Sequence, residues 1–101
     1  MAWESYNNIA IAPASLHITV SSLGSHVVLT PPENANRILL QVFTQNIRLV
    51  ITEATSPFAP TASVGFQFAA GGRFDLAIAD NFVIKIIEEA ASASIQYQWV
   101  Q

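Results

Sequence analysis

Ala93-Ser94-Ile95-Gln96-Tyr97-Gln98-Trp99-Val100 sets Ala93, Ile95, Tyr97 and Trp99 on one side of an extended chain and Ser94, Gln96 and Gln98 on the other. Successive side chains of a strand point to opposite faces, so this period of two predicts a β-strand with one buried face. Further back, residues 82–88 carry Val83, Ile84, Ile86 and Ile87. Their stiff χ1 angles favour a strand over the helix that Glu88-Glu89-Ala90-Ala91 suggests. Residues 64–68 and 73–79 flank Ala69-Ala70-Gly71-Gly72, a turn composition. Residues 37–44 and 47–53 meet at Gln45-Asn46, which suits a tight hairpin. Residues 16–20 and 26–30 are β-rich runs on either side of Ser21-Ser22-Leu23-Gly24-Ser25. Residues 9–12 offer one more short strand. Pro57 and Pro60 cannot donate to a sheet ladder, which makes 54–63 a loop.

Eight short strands at regular spacing predict an all-β fold: a single small antiparallel β-sandwich or jelly roll over residues 16–101, with an extended N-terminal arm over residues 1–15. Sandwich strands ordinarily bury one face and wet the other. Residues 82–87 are apolar on both sides apart from Lys85, and residues 37–43 set Ile38, Leu40 and Val42 against Leu39 and Phe43. Such strands need a second cover. The chain's own loop or arm is one candidate, and a neighbouring subunit is the expected one.

Composition points the same way. Charged residues make up 11% of the 101, against about 25% in an ordinary soluble domain, while 51% are apolar. A soluble chain with so few charges hides surface against other chains. The net charge is −3, and Arg37, Arg48, Arg73 and Lys85 are scattered, so nucleic acid is not an expected partner. No apolar run approaches the ~18 residues of a membrane helix, and Met-Ala-Trp-Glu lacks the basic start of a signal peptide. There is no cysteine, so neither disulfides nor thiolate sites support the core, which fits assembly in a reducing cytosol.

The chain shows little that resembles catalytic machinery. His17 and His26 lie on neighbouring predicted strands and Glu33 could add a carboxylate, but neither histidine has a metal-ligating residue two positions away. No metal or cofactor is expected. The carboxylates Glu4, Glu33, Glu53, Asp75, Asp80, Glu88 and Glu89 form no local acid–base pair. Neither a Gly-x-Ser-x-Gly elbow nor a phosphate-binding glycine loop is present, so the chain is not expected to be an enzyme. Interaction residues are better represented. Trp3 and Tyr6 on the arm, with Ile9 and Ile11, and Phe58 at the tip of Pro57-Phe58-Ala59-Pro60 are the candidate partner contacts. Phe58 has an alternative role, plugging one end of its own sandwich.

The stretch Pro60-Thr61-Ala62-Ser63-Val64-Gly65-Phe66-Gln67-Phe68-Ala69-Ala70-Gly71, followed by Phe74 and Leu76, resembles a pattern in small structural proteins of tailed bacteriophages. There a Thr-Ala-Ser-x-Gly loop leads into a short strand, an Ala-Ala-Gly turn and an alternating strand, and a final strand pair closes the chain. The likeness covers about the C-terminal half, and Gly72-Arg73 departs from the polar pair more usual after the turn. It implies a non-enzymatic virion protein assembled in the host cytoplasm, of the capsid decoration, or cement, type. Such proteins are commonly homotrimers over junctions between coat subunits, which makes further copies of the chain and the major capsid protein or another virion protein the expected partners. A tail, baseplate or fibre component is the alternative within the same class. From another class, a carbohydrate-binding sandwich would use Trp3, Tyr6, Tyr97 and Trp99 as stacking platforms, although alternation assigns Tyr97 and Trp99 to the core.

Overall fold

The computed structural model describes residues 14–101, which form eight strands: β1 (Ile18–Val20), β2 (Val27–Leu29), β3 (Arg37–Phe43), β4 (Ile47–Glu53), β5 (Phe66–Phe68), β6 (Arg73–Ala77), β7 (Phe82–Glu88) and β8 (Ser94–Val100). They pair antiparallel into two four-stranded sheets, ordered β1-β8-β3-β6 (sheet A) and β2-β7-β4-β5 (sheet B). Early strands pair with late ones, β1 with β8, β2 with β7, β3 with β6 and β4 with β5. That is the winding of a jelly roll, a long antiparallel ribbon rolled into two layers.

The expected hairpin at Gln45-Asn46 does not form, because β3 lies in sheet A and β4 in sheet B. Ile38, Leu40 and Val42 approach the core from one side, Ile47 and Leu49 from the other. A hairpin would place both sets on one layer; instead Thr44, with φ 69°, turns the chain across to the second. The chain crosses likewise between β5 and β6 and between β7 and β8, so neither the Ala-Ala-Gly turn nor the closing pair is a hairpin. The ring centroids of Phe68 and Phe74 lie 4.3 Å apart and fasten β5 to β6 between the layers.

The core is what the alternation of β8 predicts: Ile95, Tyr97 and Trp99 are buried and pack with Ile38, Leu40 and Val42 of sheet A and with Leu29, Ile47, Leu49, Ile84 and Ile86 of sheet B. Each such aliphatic side chain stabilises the fold by about 1.5–3 kcal/mol on full burial. Residues 82–88 are a strand, as their β-branching predicts. Leu23 comes from a loop, is fully buried, and its carbonyl accepts the Glu88 N–H (3.1 Å).

The second cover on β7 is the chain's own loop. Among the described residues it takes the place expected of a neighbouring subunit. Lys85 pairs in register with Val28 and Val50 on the outer face of sheet B. Its ammonium donates to the carbonyls of Ser56 (2.8 Å) and Phe58 (2.7 Å), drawing residues 54–60 across that face. Val50, Val83 and Lys85 are all buried in consequence.

Candidate interaction surfaces

The outer face of sheet A is built from the residues that alternation turns away from the core. Thr19, Gln96, Gln41 and Arg73 stand in one row across all four strands, and Gln98, Leu39 and Asp75 form the next. With His17 beside them, all of these but Thr19 line a shallow depression of about 390 Å³. Three glutamines give it amide donors and acceptors, and Leu39 gives it an apolar floor. Asp75 is paired with Arg37 at 3.2 Å. Burial pushes the Tyr97 phenol up from its ordinary value, so this group is a neutral hydroxyl at physiological pH. The glutamine amides suit hydrogen bonding to a ligand.

On sheet B, Glu89 gathers a polar cluster. The Gln67 amide donates to both of its carboxylate oxygens (2.9 and 2.8 Å), Arg48 forms an ion pair with it, and Asn46 bonds it at 3.5 Å. Arg48 also donates to the Gly65 carbonyl (3.1 Å), tying β4 to the segment that leads into β5. The Gln67 bonds, then Arg48 and Asn46, hold the Glu89 carboxyl below its ordinary value against an opposing desolvation. The chemistry of this cluster is that of a clasp.

Large apolar side chains remain in solvent on two opposite flanks. Leu16, just before β1, is 84% exposed, and Phe66 on the edge strand β5 is 74% exposed. Phe66 lies opposite Leu49 and so faces the core side of sheet B, yet on the last strand of that sheet it stays exposed among the described residues. Ile51 and Val64 beside it are each 44% exposed.

The residues expected to make partner contacts distribute unevenly. Trp3 and Tyr6 lie outside the described residues. Phe58 sits on the loop over sheet B, 49% exposed, and does not plug an end of the sandwich, because the Lys85 bond to its carbonyl holds it on the outer face. His17 precedes β1 in sheet A and His26 precedes β2 in sheet B. Among the described residues no three His, Cys, Asp or Glu side chains group closely enough to hold a metal. Tyr97 and Trp99 point into the core, stacked edge to face at 6.4 Å, and offer no platform to a sugar. The polar face of β8 already showed two of the three glutamines of sheet A in the sequence; the third, Gln41, and the rows they form depend on which strands are neighbours. No family model, curated protein or solved structure matches this chain.

Proposed function

We propose that this chain is a non-enzymatic bacteriophage virion protein, a capsid decoration (cement) protein that forms a homotrimer and binds the coat surface. It would assemble in the host cytoplasm and reside in the virion. The observation that carries the reading is the exposure of Leu16 and Phe66 on opposite flanks of a jelly roll that is already well cored. Single exposed apolar residues are ordinary, but bare aromatics at a sheet edge favour association. The jelly roll occurs in capsid domains as well as in lectins and cupins, so the fold supports the reading without deciding it. The phage-like motif supports it further, since its glycine, Gly65, shapes the approach to β5. A tail or baseplate protein would use the same surfaces.

Mixing the purified chain with undecorated phage shells and sedimenting them tests the proposal. Co-sedimentation at saturable stoichiometry is the expected result; a chain left wholly in the supernatant would reject the capsid assignment. The carbohydrate-binding reading stands second, carried by the amide rows of sheet A instead of by aromatics, and a glycan array tests it.

A further inference from the structure

We propose that residues 9–11 of one copy dock along the free edge of β5 in a neighbouring copy, adding a fifth strand to its sheet B and covering Phe66. This rests on the reading of the chain as an oligomer and names the contact that makes it one. Among the described residues β5 bonds to β4 alone and is the last strand of its sheet. The other edge on that flank, β6, carries Arg73 and Asp75, which discourage pairing, whereas residues 64–70 hold no charge and no proline. The edge is short, the three residues Phe66–Phe68, but it carries no charge, and exposed Phe66 on its core side with half-exposed Ile51 on the adjoining β4 makes it a template for an added strand whose alternate residues are apolar. Ile9-Ala10-Ile11 has that pattern, with both isoleucines on one side.

Reach decides which copy supplies it. Ala14 donates to the Trp99 carbonyl (2.9 Å) and so holds the place of β1, at the edge of sheet A opposite to β6. From there to β5 is three strand spacings and one sheet spacing, about 14 Å by about 10 Å, or roughly 17 Å straight through the protein. Ile11 is three residues from Ala14 and reaches about 10 Å when extended. The segment is too short to lie on its own β5, so the edge it fills belongs to another molecule. Donor and acceptor sit on opposite flanks, which makes the contact head-to-tail. Head-to-tail contacts give a ring where the rotation between copies closes and an open filament where it does not, and a trimer is one such ring.

The experiment uses two full-length variants and light scattering coupled to size exclusion. Ile9→Asp with Ile11→Asp removes the donor; Phe66→Asp removes the acceptor at a position exposed enough to leave folding intact, checked by circular dichroism. The wild type is expected at a multiple of 10.9 kDa and each variant alone at that mass. An equimolar mixture should give a species of twice that mass, because one intact donor and one intact acceptor restore a single contact and leave the ring open. A monomeric wild type, variants that keep the wild-type mass, or a mixture that stays monomeric would each overturn the exchange. Shell sedimentation separates this result from the functional reading. Variants that remain oligomeric and sediment with shells remove the exchange and leave the decoration role. A wild type that exchanges strands but ignores shells does the reverse.

Discussion

Lys85 is the buried charged side chain among the described residues, 6% exposed, and it is held by two carbonyl oxygens with no carboxylate at hand. Hydrogen bonds from a charged donor are worth about 1.5–3 kcal/mol each, enough to hold a proline-bearing loop over Val50 and Val83. Lys85→Met keeps the aliphatic length and removes the donor. It should lower stability by about 2–3 kcal/mol in urea unfolding, and it should make the chain susceptible to chymotrypsin at Phe58. Glu89 provides a different kind of hold, one that pH can release. Its carboxyl is depressed below 4.5 in the fold, so its contribution is complete above that value and is lost as pH falls through the lower folded value. The thermal midpoint of the wild type should therefore drop on acidification below about 4.5. Glu89→Gln should start from a lower midpoint at pH 7 and show a shallower acid limb.

At the level of elements, Gly65 explains why β5 begins where it does. Its φ is 128°, a region that L side chains rarely adopt, and a Cβ there would stand 3.2 Å from the backbone N and O of Leu49. Glycine is the residue that lets the chain approach β4 this closely. Gly65→Ala should cost about 1–3 kcal/mol, and hydrogen exchange should show the loss of protection concentrated at Phe66 and Phe68, while the β3–β8 ladder is unchanged. Element by element, the sequence was informative wherever neighbours along the chain decide the outcome. The period of β8 and the β-branched run of β7 located those strands within a residue. The pairing was not legible, because every contact that makes this a jelly roll, apart from β4 with β5, joins strands distant in sequence. The same reason hid the cover of β7: an apolar outer face reads identically whether a partner or a loop lies on it, and the Lys85 bonds that distinguish them span 27 and 29 residues. Leu23 escaped notice because a buried leucine inside a serine–glycine turn has no periodicity to betray it.

For the whole molecule, the proposed role divides labour among surfaces. A chain with four basic and seven acidic residues has little charge for long-range steering, and one small sandwich has little area for a large private contact with a shell. Three modest contacts on one rigid trimer act together, and avidity exceeds single-site affinity by roughly 10² to 10⁴. Binding the mature shell in preference to its precursor would then stabilise it, as any ligand stabilises the state it prefers. If residues 9–11 are engaged by the neighbouring copy, Trp3 and Tyr6 lie farther out on the same segment, at a reach no side chain of the sandwich has. Aromatic anchors truncated to alanine commonly cost 2 kcal/mol or more, about a thirtyfold loss per contact. Trp3→Ala with Tyr6→Ala should therefore leave the light-scattering mass of the oligomer unchanged. It should raise the concentration for half-saturation of shells by at least about thirtyfold. Full retention by the double variant would remove Trp3 and Tyr6 from the coat contact and leave wild-type co-sedimentation to be explained by the sandwich itself. Loss of the oligomer would assign the two aromatics to the contact between subunits instead.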